Sequence, residues 1–243
     1  MPSDMSDVPP TVISLETPES HFNASTTLPW VQSMSLDSLW RSAKRVTLEA
    51  EAVAAAFGDR GFGRAMLFAF LAELLAIGSV ALVLLVLIAA VLPKVAIRVA
   101  LNPDVGWSVA MASSAGVLML ASLMVILHWI WACGVEVGAW HCGLPRRWQS
   151  GLCLASYSCG WDLVTSPYGV VALWFTAGAH SVAPGLAAAL RAPRRCVVSY
   201  LKQARSFSPE EQRRVLLTAA LLTAPIVLML AASLLVVIVA ILA

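Results

Sequence analysis

Long uncharged runs separated by short charged segments dominate the chain. Residues 215–243 and 74–92 give twenty-nine and nineteen consecutive positions without a charged side chain. About 20 helical residues span a hydrocarbon core about 30 Å thick, so both runs are long enough to cross a membrane. Extending the pattern through weaker apolar stretches predicts five spans, at residues 66–92, 108–135, 150–166, 168–190 and 215–243. The third carries Ser150, Ser156, Tyr157, Ser158, Asp162 and Thr165, and it meets the fourth at the turn-forming Ser166-Pro167-Tyr168-Gly169. These two either cross fully or form a hairpin that dips into the bilayer. In both cases the outer ends of the pair share one side.

Before the first span the period changes to that of a two-faced helix. Leu36, Leu39, Trp40, Ala43, Val46, Ala50, Val53 and Phe57 recur at spacings of three and four, with Arg41, Lys44, Arg45, Glu49 and Glu51 between them. Ser35 is placed to cap its start and Gly58 its end. Such a helix either lies on the membrane surface, with Trp40 beneath and Arg41, Lys44 and Arg45 near anionic headgroups, or packs on the transmembrane bundle. Residues 1–34 hold five prolines and four acids with no Lys or Arg, which reads as a disordered cytoplasmic tail. Within it Asn23-Ala24-Ser25 matches a glycosylation acceptor. The expected organisation is therefore all-α: a 1–34 tail, a 35–63 amphipathic interfacial segment and a 64–243 polytopic transmembrane bundle.

Composition agrees, with 59% hydrophobic and 12% charged residues against the roughly 25% charged of soluble domains. The net charge of +2 gives no ground for a nucleic-acid partner. Where the charges fall matters more. Fourteen of the sixteen Lys and Arg residues lie on the loops that share a side with the N-terminal arm. Basic loops stay cytoplasmic, so the N-terminus is expected inside and the C-terminus outside. Trp129, Trp131, Trp140 and Trp148 form a candidate aromatic belt at that face. Ser208-Pro209-Glu210-Glu211 has the pattern of a capping box opening the last helix, and Pro225 is placed to kink it.

The chemistry-bearing residues are few. Glu73, His128, Glu136, Asp162 and His180 lie in or near spans, where an ionisable group is a candidate for transport or proton transfer, and His128 and His180 sit deepest. Interfacial placement or pairing accounts for the three acids. Cys133, Glu136, His141 and Cys142 fall within ten residues and offer ligand types that zinc favours, yet no paired Cys-x-x-Cys accompanies them. Reduced thiols facing packed helices are the preferred account, and no metal or cofactor is expected. Gly-x-Ser-x-Gly, phosphate-binding glycine loops and His-Glu-x-x-His are all missing from the sequence, so no catalytic residue is assigned.

Trp40, Phe57, Arg60, Gly63, Ala65, Phe68 and Ala69 ahead of and inside the first span are followed by Tyr157, Pro167, Gly169, Trp174, Gly178 and His180 in the third and fourth. This order resembles the bacterial branch of the YIP (Ypt-interacting protein) family over roughly residues 36–243. The usual Tyr-x-x-x-Pro spacing of the third span is replaced here by a segment carrying Asp162. The resemblance implies a non-enzymatic integral protein of the bacterial cytoplasmic membrane that binds partners or organises the bilayer. Its expected partners are lipid, other membrane proteins or further copies of itself. Eukaryotic relatives of that family bind small GTPases, but no residue of this chain is specific to that role. The alternative is a small proton- or solute-coupled transporter subunit using His128, Asp162 or His180.

Overall fold

A computed structural model describes residues 27–54 and 61–242. Among them every regular element is helical: α1 (Pro29–Gln32), α2 (Leu36–Leu48), α3 (Ala50–Ala54), α4 (Phe62–Val91), α5 (Pro93–Leu101) and α6 (Pro103–His141). They are followed by α7 (Trp148–Ser158), α8 (Gly160–Thr165), α9 (Pro167–Ala177), α10 (Val182–Arg205) and α11 (Pro209–Leu242). The Asn23-Ala24-Ser25 triplet, Phe57, Gly58 and Arg60 lie outside the described residues.

Local chemistry sets these boundaries. Ser35 opens α2 by accepting from the Ser38 amide at 3.1 Å, while Ser38 Oγ accepts from the Ser35 amide at 2.9 Å. The helix stops at Leu48, before Gly58, and a short α3 continues it. Gly61 precedes α4 with φ of 89°, a left-handed conformation that glycine adopts without strain. Ser208 and Glu211 exchange the expected hydrogen bonds at the start of α11, at 2.8 and 3.4 Å.

Among the described residues three helices are long and apolar enough to cross a membrane: Phe62–Val91, Pro103–His141 and the Pro209–Ser233 part of α11. That is fewer than the five expected from the sequence. The third and fourth expected spans are broken into pieces of eleven, six and eleven residues. Eleven helical residues rise only about 16 Å, roughly half the hydrocarbon core. The chain breaks at Cys159, between α7 and α8, and at two sharper bends. At the first, Ser166 Oγ caps α9 by accepting from the Gly169 amide at 3.3 Å. A Cβ on Gly169 would run into the Leu163 and Val164 carbonyl oxygens, so the bend needs glycine there. At the second, Gly178 takes φ of 84° and Leu173 lies against Gly185 across the turn. The sequence reading contains only the first.

Burial divides the long helices into two halves. Ala65, Phe68, Ala69, Ala72 and Ala76 of α4, Ala121 to Ala139 of α6, and Val215 and Ala219 of α11 form a core with α2, α7, α8 and α10. Beyond it, Leu82, Leu84 and Val86 of α4, Leu118 and Met119 of α6, and Leu221, Leu228 and Met229 of α11 are exposed. Apolar surface of that extent is far larger than soluble monomers show, and lipid is the solvent that removes its cost. The buried half of α11 rides on α6 over Gly134 and Gly138, four residues apart, where a Cβ would come within 2.9 Å of Ala219 Cα and of Val215 O. This is the small-residue contact that lets membrane helices approach closely.

The amphipathic segment packs on protein. Leu39, Trp40, Ala43 and Val46 are buried, Trp40 against Tyr168 with ring centroids 6.0 Å apart. Of the two placements open in the sequence, the structure has the one on the bundle: the apolar face of α2 meets α8 and α10. Arg41 pairs with Asp37 on the exposed side, and Arg45 with Glu49 at 2.9 Å. Residues 27–34, expected in the disordered tail, are ordered here. The reason is Trp30, 2% exposed, whose indole donates to the Arg64 carbonyl at 2.8 Å and whose amide donates to Ser42 Oγ at 2.8 Å.

Candidate functional site

Two polar clusters are buried in the packed half. The first is built on α4, where Glu73 shares the inward face with Ala65, Phe68, Ala69, Ala72 and Ala76. Those small residues let α6 and α8 approach, which leaves Glu73 1% exposed. From α6, His128 Nδ1 lies 3.0 Å from the Met124 carbonyl oxygen. A carbonyl can only accept, so Nδ1 carries a hydrogen and Nε2 is the nitrogen free for other chemistry. Nε2 faces Asp162 Oδ2 of α8 at 3.3 Å, and Glu73 Oε1 lies 3.9 Å from Nδ1. Cys159, at the junction of α7 and α8, completes the group.

This cluster is left polar and incomplete. Glu73 Oε1, Asp162 Oδ2 and Trp161 Nε1 are buried without a hydrogen-bond partner. An unpartnered buried polar group costs about 1–3 kcal/mol and a charged one more. A cavity of about 420 Å³ opens beside it, lined by His128, Trp131, Trp161, Asp162, Leu190 and Pro193. Two carboxyl groups, an imidazole and a thiol gathered here can hold a proton or a cation, and the ligand atoms of Glu73, His128 and Cys159 converge to within 4.8 Å of one another.

The second cluster is paired except at Arg205 Nε, which is buried without a hydrogen-bond partner. Glu136 of α6 accepts from the Arg147 amide at 2.8 Å, from Arg205 Nη2 at 2.5 Å and from the Tyr200 hydroxyl at 3.1 Å. Tyr200 also reaches Ser150 Oγ at 3.2 Å, and Arg205 donates to the Pro145 carbonyl at 2.7 Å. Burial opposes the charge on Arg205, but Glu136 and Tyr200 together outweigh it and the guanidinium is held above its ordinary range. Burial, with Glu136 beside it, likewise pushes the Tyr200 phenol up. The network ties the α10–α11 corner to the α6–α7 corner, and its carboxylate is fully engaged by donors. At the surface, Arg195 of α10 grips Glu51 of α3 through two contacts of 2.5 Å and holds that carboxyl below its usual range. Burial pushes the adjacent Cys196 thiol up to about 12, so it is inert.

The residues singled out in the sequence separate accordingly. His128 and Asp162 meet, and Glu73 joins them. His180 does not: it is exposed on the turn between α9 and α10. Among the family-motif residues Tyr157 is buried against Phe68 at 5.1 Å, Gly169 and Gly178 make the two bends, Pro167 opens α9, and Trp174 is exposed. The Cys133–Cys142 group does not converge, because Glu136 is turned to Arg205 and His141 Nδ1 faces the Val137 carbonyl at 2.8 Å. The group whose ligand atoms do converge is Glu73, His128 and Cys159, all within 4.8 Å of one another. Of the belt tryptophans, Trp129 donates to Ser156 at 3.1 Å, while Trp140 and Trp148 are exposed around Arg146.

Fold and composition thus define an all-helical protein whose three long apolar helices are consistent with a membrane protein. Comparison with protein-family models, with curated proteins and with solved structures gives no match.

Proposed function

We propose that the chain is a non-enzymatic integral membrane protein of the YIP kind that binds membrane partners or organises the bilayer from a helical cap on one face. The observation that carries this reading is where the ionisable groups stop. Residues 74–92 of α4, 105–127 of α6 and 215–243 at the C-terminus hold no ionisable side chain. A proton or ion reaching Glu73, His128 and Asp162 from the cap side therefore has no relay onward through the apolar halves, which transport through a bundle requires. The cap, by contrast, presents Arg191, Arg194, Lys202, Arg213 and Arg214 at its surface, suited to anionic headgroups or an acidic partner face.

In a bacterial cytoplasmic membrane the same fourteen-to-two distribution of basic residues supports a cytoplasmic cap and an external C-terminus, and three crossings leave that count unchanged. The test pairs two assays on the full chain. Reconstituted vesicles should show proton and cation flux equal to empty vesicles. Purification in mild detergent should yield a stoichiometric membrane partner that is lost on Arg191→Glu with Arg194→Glu while the protein stays monodisperse. The transporter reading rests on the His128–Asp162 contact beside the cavity. Flux that Glu73→Gln or His128→Gln abolishes would establish it and displace the scaffold.

A further inference from the structure

We propose that Glu73, His128, Cys159 and Asp162 form a site for one divalent transition-metal ion of the zinc class. The donor set is the first reason. One imidazole, one thiol and two carboxyls are the ligand types that zinc takes, whereas calcium and magnesium call for oxygen alone. They come from three separate segments, α4, α6 and the α7–α8 junction, so the fold gathers them.

Geometry is the second. Metal bonds of about 2.0–2.3 Å in a tetrahedron put neighbouring ligand atoms roughly 3.3–3.6 Å apart. His128 Nε2 and Asp162 Oδ2 already stand at 3.3 Å. The ligand atoms of Glu73, His128 and Cys159 lie within 4.8 Å of one another, so closure needs side-chain rotations on the order of 1 Å. The Met124 carbonyl holds the Nδ1 hydrogen of His128 at 3.0 Å, which leaves Nε2, the nitrogen facing Asp162, as the ligand atom, and Glu73 Oε1, 3.9 Å from Nδ1, has to turn toward Nε2 as the site closes.

The third reason is independent of the ligand types. Glu73 is 1% exposed, yet its Oε1 has no hydrogen-bond partner, and neither has the buried Oδ2 of Asp162. Two buried acceptors without donors, both beside the His128 ring, are what a cation satisfies. Binding deprotonates the Cys159 thiol and releases that proton to solvent. The ion's two positive charges are then met by the Glu73 and Asp162 carboxylates and the Cys159 thiolate, which leaves one net negative charge, on the side of the partly exposed Asp162 beside the cavity. Asp162, next to the cavity, closes the fourth position. The ion would staple α4, α6 and α8 together, and this holds whether or not the chain binds partners.

Cobalt(II) added to the detergent-purified full chain, stripped of metal beforehand, is the direct probe. The expected result is one cobalt per chain, a thiolate-to-cobalt charge-transfer band, displacement by zinc and a raised melting temperature with either ion. Cys159→Ser should remove the band and Cys142→Ser should keep it. X-ray absorption of the zinc-loaded unmutated protein gives a reading that does not depend on any variant folding, and one sulfur neighbour with nitrogen and oxygen is expected. A band that survives Cys159→Ser, a sulfur-free shell, or binding below one ion per two chains overturns the site and marks the metal as adventitious.

Discussion

Removing one partner of the Glu136–Arg205 pair should destabilise the fold more than removing both. Each side chain is nearly sealed, at 1% and 2% exposure, and Glu136 is held by three donors. Arg205→Met leaves a buried carboxylate with only Tyr200 and the Arg147 amide. Such uncompensated charges cost about 3–5 kcal/mol. Glu136→Gln leaves the guanidinium with the Pro145 carbonyl as its remaining acceptor, at a similar cost. The double variant removes both charges and should cost less than either single change, so that it falls short of the sum by at least about 3 kcal/mol, because the pair acts as a unit. At roughly 2–4 °C per kcal/mol for a chain of this size, each single change should lower the melting temperature by about 6–20 °C. Tryptophan fluorescence of the protein in detergent during heating reads this. Single variants within about 1 kcal/mol of the unmutated chain, or strictly additive losses, would show that the network does not hold the corners together.

Three further outcomes follow from the packing. Gly138→Leu pushes a side chain into Val215, where even a Cβ stands 2.9 Å from the backbone oxygen, and should cost at least about 1–3 kcal/mol in the same melt. Trp30→Ala removes a 2%-exposed side chain and its bond to Arg64, so it should cost about 3–5 kcal/mol and make residues 27–34 sensitive to limited proteolysis. Glu51→Gln should have an effect that depends on pH. Arg195 depresses the Glu51 pKa in the folded chain, so its contribution is full above the ordinary value of 4.5 and disappears as pH falls through the lower folded value. Both side chains are more than a third exposed, so the difference should be at most about 0.5 kcal/mol at pH 7 and shrink as the pH is taken below 4.5, as melting across an acid pH series reports.

The helical class and the three long helices were legible because residues 74–92 and 215–243 contain nothing that could interrupt a helix in lipid except Pro225, which the helix absorbs. The broken pair was not. Gly178-Ala179-His180 reads as small residues around a helical histidine, and only the positive φ of Gly178 turns it into the end of a helix. Glu73 illustrates a signal that was present and misread. Standing before an uncharged run, it looks interfacial, yet small residues at 65, 69, 72 and 76 place it on the face that must pack. Its neighbours Cys159 and Asp162 are more than eighty positions away, and Arg205 is 69 positions from Glu136, separations that no helical period connects. Trp30 was hidden by its setting, one aromatic after a stretch of prolines and acids.

Labelling from each side of the membrane tests the three-crossing architecture most directly. In the full chain with its five cysteines replaced, single cysteines at the exposed Thr165, at Asp104 and at Ala243 are treated with an impermeant maleimide in right-side-out and inside-out vesicles. With three crossings and residues 148–205 on one face, Thr165 should label from the same side as the N-terminal arm, and Asp104 and Ala243 from the other. Thr165 labelling together with Asp104 would mean that the helices around it cross after all, and the one-sided cap would be wrong.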